Sequence, residues 1–238
     1  MLKEISITIT MLFVLLSSFA YSNDTITAGD LFRLTVKEGD TIDLIELIRT
    51  ESYLMYGGFI KVRNCSVRDN ILTISNEGYN GYIEVGRGDG RWHRYEIFGR
   101  FQLPPIPCES YDKKLFCFDI AVHCNYNAEN RDKMGSDIIR IFPEKEILLI
   151  DYSEDSDKPE KVRRKKTRVL TGVWYDFRVV VKGSSVKVYI DDKKSVNSKW
   201  LSNDSGGFKL YPLSFRDGVY KVSFKELKVK VVEWKEDG

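Results

Sequence analysis

Apolar and polar residues alternate with a period of two through most of the chain. Ile71-Leu72-Thr73-Ile74 follows an Asp69-Asn70 turn, and Tyr82-Ile83-Glu84-Val85 runs into a glycine-rich turn at 86–90. The same alternation covers 93–103, 115–125, 137–142, 147–152, 175–182, 185–190, 207–210 and 219–232. Phe32, Leu34 and Val36, set against Arg33, Thr35 and Lys37, extend it toward the N-terminus. Successive side chains of a strand point to opposite faces, so this pattern predicts half-buried β-strands. Turn-forming residues separate them at Lys182-Gly183-Ser184, Asp191-Asp192, 203–207 and Asp217-Gly218. Many short strands with such punctuation predict an all-β sandwich or barrel built as one domain.

Three segments depart from simple alternation. Ile42, Leu44, Ile45, Leu47 and Ile48 lie at helical spacing behind Asp40, a candidate N-cap, so a short surface helix is expected over 41–50. Residues 154–168 hold four acids and seven bases without apolar periodicity and read as a loop or hairpin tip. In the last strand Val222 and Phe224 have one parity while Leu227, Val229 and Val231 have the other. A β-bulge at Lys225-Glu226 would keep both sets on the core.

Composition narrows the class. The chain of 238 residues is 42% apolar and 30% charged, enough for a packed core and outside the disordered range. Its 37 basic and 35 acidic residues leave a net charge of +2, too balanced for a dedicated nucleic-acid binder. Two histidines and four cysteines leave little room for a His/Cys metal site, and no cofactor is expected.

Residues 1–22 read as a secretory signal peptide. Lys3 supplies the charged start, an apolar run follows from Ile5 to Leu16, and Ser18-Phe19-Ala20 or Ala20-Tyr21-Ser22 supplies the cleavage site. The run is short for a membrane span of about 20 residues and is broken by Ser6, Thr8 and Thr10. A single domain over 23–238 is expected, secreted or periplasmic, with no further transmembrane segment. Export makes Cys65, Cys108, Cys117 and Cys124 readable as two disulfides. Cys117 and Cys124 are oddly spaced on one strand and so point to opposite faces. Cys108 and Cys117 flank a short loop and would pair, leaving Cys65 for Cys124. The alternative is free thiols acting as small hydrophobes.

Four strings in the C-terminal third occur in a distinctive order: Gly172-Val173-Trp174-Tyr175-Asp176-Phe177-Arg178-Val179-Val180-Val181, Lys187-Val188-Tyr189-Ile190-Asp191-Asp192, Gly207-Phe208-Lys209-Leu210 and Phe224-Lys225-Glu226-Leu227-Lys228-Val229. With the earlier strand Tyr95 to Phe101, they resemble the concanavalin A-like lectin/glucanase superfamily, including laminin G-like jelly rolls, over roughly residues 30–232. The resemblance implies a two-sheet antiparallel jelly roll. That superfold hosts lectins, hydrolases, lyases and interaction modules, so it leaves function open. A structural Ca²⁺ is common in the superfamily; Asp191-Asp192 and Asn203-Asp204 are candidates, but no compact loop motif supports them.

The Glu-x-Asp-x-x-Glu string of laminarinase-type hydrolases is absent; the nearest acidic cluster, Glu154-Asp155-Ser156-Asp157, lies in the charged run. A polysaccharide lyase would need Arg to neutralise a uronate carboxylate and His or Tyr to take a proton. Arg94, Glu96, Phe98 and Arg100 share one strand face, and Asp119, Ala121, His123 and Asn125 share another. On neighbouring strands Arg94, Glu96, Arg100, Asp119 and His123 would form a polar patch, with Tyr211 joining it. The bland account, a solvated face laced with cross-strand charge pairs, is preferred.

Sugar binding without catalysis needs exposed aromatics. Trp92, Trp200, and Tyr126 with Asn125 and Asn127 are candidates, as is Tyr79 with Asn80. Trp92 and Trp200 serve either for stacking or to cover a sheet edge; Trp174 opens a strand and is assigned to packing. Arg163-Arg164-Lys165-Lys166 with Arg168 would suit acidic glycans, although neighbouring acids partly cancel the charge and a solvated loop is preferred. Arg87-Gly88-Asp89 is read as a turn. The leading expectation is an exported, non-catalytic module recognising a glycan or an envelope protein. A polysaccharide-active enzyme using Arg94, Arg100, His123 and Tyr211 is second, and a structural adhesion module third.

Overall fold

The computed structural model describes residues 32, 35–77, 81–86, 92–105, 116–124, 136–152, 160–214 and 218–234. Two antiparallel sheets dominate. The eight-stranded sheet runs in the order β13 (Lys193–Ser198), β12 (Ser185–Ile190), β11 (Trp174–Lys182), β6 (Trp92–Gln102), β15 (Lys221–Trp234), β4 (Ile71–Ser75) and β3 (Cys65–Arg68), and β1 (Thr41–Asp43) also pairs with β15. The seven-stranded sheet runs β10 (Lys161–Lys165), β9 (Glu146–Tyr152), β8 (Ser136–Phe142), β7 (Phe116–Cys124), β14 (Gly207–Ser214), β5 (Tyr82–Val85) and β2 (Ile60–Arg63). The expected all-β two-sheet sandwich is therefore present, with strands at the alternating segments from Ile71 onward, while β2, β3, β10 and β13 lie outside the segments the alternation marked.

Alternation also fixes what faces inward. Tyr95, Ile97 and Phe101 of β6 and Phe224 and Val229 of β15 are buried against Phe118, Ile120 and Val122 of β7 and Ile139 and Ile141 of β8. Phe118 meets Phe101 and Phe224 of the opposite sheet at ring separations of 5.9 and 5.4 Å. The bulge expected at Lys225-Glu226 is there: the register shifts between Lys225 and Lys228, and Glu226 takes a left-handed φ of 55°. Phe224, Leu227 and Val229 consequently all reach the core. Asp69-Asn70 and Asp191-Asp192 have positive φ throughout, the geometry of tight hairpin turns.

Several expectations need correction. The helix is shorter than 41–50: Thr41–Asp43 pairs with β15, and α1 covers only Leu44–Arg49. Its cap is Asp43, which accepts the Ile45 and Glu46 amides, while the Asp40 carboxylate instead accepts the Lys37 amide. Phe32 and Thr35 are helical rather than extended, and the Val36 amide donates to the Phe32 carbonyl. The charged run contributes β10, an edge strand exposed at all five residues, so solvent on both faces removed the apolar signal. Trp174 pairs across from Gln102 on the outer face, where Lys225 Nζ sits 4.5 Å above its ring.

The cysteine pairing also fails. Cys65, Cys117 and Cys124 are free thiols; Cys108 lies outside the described residues. Cys65 is on β3 of one sheet and Cys124 on β7 of the other, so no Cys65–Cys124 bridge forms. The odd-spacing argument for Cys117 and Cys124 also breaks down. His123, at φ 55°, bulges out of register, and Cys124 pairs with Gly207, one residue before inward-facing Phe208. Both thiols therefore lie on the outer face, separated along the strand by about 20 Å. Burial pushes the Cys65 and Cys124 thiols up to about 12. No helix among the described residues is long and apolar enough to cross a membrane; the signal-like segment lies outside them.

Candidate functional site

The sandwich distributes the candidate residues over three separate places. β6 and β7 belong to different sheets, so the polar patch expected from neighbouring strands does not assemble. Arg94, Glu96 and Arg100 lie on the outer face of the eight-stranded sheet. There Arg94 pairs with Glu233 at 3.8 Å and Arg100 with Asp176 at 3.2 Å. These are exposed cross-strand pairs of the bland kind.

His123 is turned into the interior. Its bulged backbone donates its amide to the Tyr95 hydroxyl, which donates to the Gly207 carbonyl. Its ring Nδ1 lies 2.5 Å from Asp137, and both side chains are fully buried. Burial raises the Asp137 carboxyl to about 6, opposed by the His123 hydrogen bond. Asp137 pairs in register with Asp151, also fully buried, whose carboxylate accepts the Ser202 amide at 3.2 and 3.3 Å. His123 thus belongs to a polar network that ties β7, β8 and β9 to the β13–β14 loop.

Asp119 and Tyr211 do come together, on the outer face of the seven-stranded sheet. Strand pairing aligns Arg140, Asp119 and Tyr211 in one row across β8, β7 and β14. Arg140 grips fully buried Asp119 through both ends of its guanidinium, at 2.9, 3.2 and 2.7 Å. In the next row Lys209 lies between Glu84 and Ala121. Its Nζ sits 4.3 Å from the Tyr82 ring and 5.5 Å from Tyr211. Burial, and next the Asp119 charge, hold the Tyr211 hydroxyl well above its ordinary range. Arg140, Lys209, Tyr82 and Glu84 went unnoticed in the sequence; reading outward parity across the paired strands would have collected them.

The two tryptophan candidates part ways. Trp92 is 1% exposed and packs on Phe32, Phe59, Tyr95 and Phe208, so it is core and not an exposed rim aromatic. The glycine turn before it misled, because β6 already begins at Trp92 and its side chain takes the inward parity. Trp200 is 80% exposed. Its φ of 61° is left-handed, a costly conformation for a bulky residue. The backbone around it is pinned: the Trp200 carbonyl accepts Lys161 Nζ at 2.6 Å, the Leu201 amide donates to Ser184, and the Ser202 amide to Asp151. Leu201 takes the buried position, which leaves the indole pointing to solvent. Asn125, Tyr126, Asn127, Tyr79 and Asn80, and Arg87-Gly88-Asp89, lie outside the described residues.

Trp200 stands at one side of the sandwich, where edge strands β10 and β13 face each other. Between them runs a groove of about 460 Å³ lined by Arg163, Arg164, Lys165 and Lys194. Of the suggested Ca²⁺ ligands, the Asp191 carboxylate accepts the Asp176 amide, Asn203 donates to the Tyr152 carbonyl and Asp204 accepts the Ser205 hydroxyl. Among the described residues no three His, Cys, Asp or Glu side chains gather as a metal cluster.

No family model and no curated protein sequence matches the chain. Solved structures match it in fold. The carbohydrate recognition domain of Emp46p, in a potassium-bound form, aligns with a TM-score of 0.58 and 8% identity over 82% of this chain and 97% of that one. The Crh5 transglycosylase in complex with NAG aligns at 0.56 and 7% identity over 80% of this chain and 83% of that one. An alginate lyase aligns at 0.52 and 9% identity over 73% and 83%. The chain has the concanavalin A-like jelly-roll fold.

Proposed function

We propose that this chain is an exported, non-catalytic module that recognises a glycan. One observation carries the reading: Trp200, 80% exposed, is held outward by a hydrogen-bonded, left-handed backbone. A flat, exposed aromatic on a rigid support suits the C–H face of a sugar, and strain retained at a surface position is a mark of function. The fold it shares with a carbohydrate recognition domain supports the reading by analogy. The signal-like N-terminus supports export.

The enzyme reading loses its first set of residues, because Arg94 and Arg100, His123 and Tyr211 occupy three different places. It retains one favourable observation, the row of Arg140, Asp119 and Tyr211. An array of neutral and acidic polysaccharides separates the readings, with the absorbance of unsaturated uronate products followed in parallel. Binding without new absorbance, lost in Trp200→Ala, is expected. Rising absorbance that disappears in Tyr211→Phe would replace this reading with a lyase. Silence on every polysaccharide would leave the module without a glycan role.

A further inference from the structure

We infer that the groove between β10 and β13 is a binding site for a linear polyanionic polysaccharide, one carrying carboxylate or sulfate groups, with Trp200 as its terminal stacking platform. The inference rests on the glycan reading above and names the ligand class. Lys161, Arg163 and Lys165 alternate along β10 and turn to the same side. Lys161 Nζ donates to the Trp200 carbonyl, Arg163 Nε to the Ser198 hydroxyl at 3.3 Å and Lys165 Nζ to the Lys194 carbonyl at 3.0 Å. These contacts stitch the two sheet edges together. They also fix three cations in a row about 13 Å long, with Trp200 at the Lys161 end.

Each cation keeps donors to spare. A lysine has three and an arginine five, and one of each is used here. Lys194 adds a fourth charge across the groove. Carboxylates engage two of the β10 cations: Glu146 pairs at 3.1 Å with Arg164, a lining residue of opposite parity to the row, and Asp151 lies 3.8 Å from Lys161. No described acid pairs with Arg163, Lys165 or Lys194. Lysines also protect exposed sheet edges from pairing with other chains, and β10 and β13 are such edges. Edge protection requires neither a pinned aromatic at the end of the row nor cations directed into a groove.

A straight row of charges suits a stiff repeating polymer better than a single small anion. The groove is accompanied by one exposed tryptophan, and the whole chain has a net charge of only +2. Nucleic-acid binders carry a broader basic footprint. A polysaccharide whose anionic groups recur along its length is the occupant that matches both the row and the stacking surface.

The test is titration of the full-length mature chain with a uronate polymer, a sulfated polymer and a neutral glucan, at low and high salt. Binding of an acidic polymer that weakens as salt rises supports the inference. Lys194→Glu should lower that affinity about tenfold, and Lys194→Gln should lower it less. Arg68→Glu, an exposed change at the opposite edge of the same sheet, should leave it unchanged. Lys194→Gln removes an exposed charge without touching the backbone carbonyl that Lys165 uses, so it keeps the test valid if Lys194→Glu folds poorly. Neutral glucan binding that needs Trp200 but ignores both Lys194 variants would overturn the inference and leave the glycan reading standing. Failure of every polysaccharide would overturn both. Equal or tighter binding of single-stranded DNA, or of vesicles rich in anionic lipid, through the same residues would replace the polysaccharide as ligand.

Discussion

Trp200→Gly should make the protein more stable while abolishing glycan binding. The left-handed backbone at Trp200, φ 61°, costs an ordinary residue about 1–2 kcal/mol that glycine does not pay. Glycine returns about 0.5–1 kcal/mol of this through the greater freedom it gives the unfolded chain. The indole is 80% exposed, and the fifth that is covered is no more than an unfolded chain covers on average, so lost burial adds about zero. The balance is a gain of about 0.5–1 kcal/mol. Asparagine, which tolerates the same geometry with less entropy in the unfolded chain, should gain at least as much. Urea denaturation followed by circular dichroism, or by the fluorescence of the other tryptophans, reads the change as a midpoint shift of about +0.3 M. A loss of more than about 1 kcal/mol in Trp200→Gly would refute the reasoning. It would mean that the indole packs as an edge cover, and the strained backbone would then mark structure rather than recognition.

Other expectations follow from buried groups. Arg140→Met should cost about 3–5 kcal/mol, because it leaves the fully buried Asp119 carboxylate unpaired; adding Asp119→Asn should recover part of that, and a double-mutant cycle by denaturation measures it. A single-variant loss under about 1 kcal/mol would show that the pair is not what holds the row together. Asp137 is held at about 6 against an ordinary 3.8, so the folded state keeps a proton there that the unfolded state releases. Its contribution to stability is complete below pH 3.8 and is lost as pH rises through 6; Asp137→Asn should flatten that part of the stability–pH profile. Gly207→Ala should fail to fold or lose several kcal/mol, because its new Cβ would stand 2.0 Å from the Val85 carbonyl oxygen. A soluble variant with wild-type melting behaviour would contradict the close approach of β14 and β5.

How far the sequence could be read depended on whether a property is local. Period-two alternation located the strands because inward and outward parity is written in neighbouring residues. The Lys225-Glu226 bulge was legible for the same reason: only a one-residue slip lets both Phe224 and Leu227 face the core. Sheet membership is not local. Nothing in the strings around Arg94 and Asp119 says that β6 and β7 lie in opposite sheets, so a patch drawn on adjacent strands came apart. The His123 bulge was equally invisible, because its cause is the Tyr95 hydroxyl and the Asp137 carboxylate, distant in the chain. That one left-handed residue moved His123 inward and brought Cys124 onto the same face as Cys117. Trp92 and Trp200 both follow polar stretches, and only the packed neighbours that enclose Trp92 separate the buried ring from the exposed one.

The placement of free charge in the fold gives a physical reason for recognition at the edge. On the outer face of the eight-stranded sheet Arg94, Arg100, Arg178 and Lys225 are already engaged, by Glu233, Asp176, Tyr189 and Trp174 respectively. On the seven-stranded sheet Arg140 is committed to Asp119, and Lys209 to Tyr82 and Tyr211. A ligand that uses any of these six cations must displace partners that the chain supplies, and that exchange returns little net free energy. At the junction of β10 and β13 the ladder hydrogen bonds of both sheets end. There Lys161, Arg163 and Lys165 meet carbonyl and hydroxyl groups rather than carboxylates. Neutral acceptors orient these cations without cancelling their charge, so an incoming anion gains the electrostatic term and breaks no ion pair of theirs, apart from the 3.8 Å approach of Asp151 to Lys161. The same contacts that close the side of the sandwich therefore preorganise the charge, so ligand binding has little side-chain ordering left to oppose it.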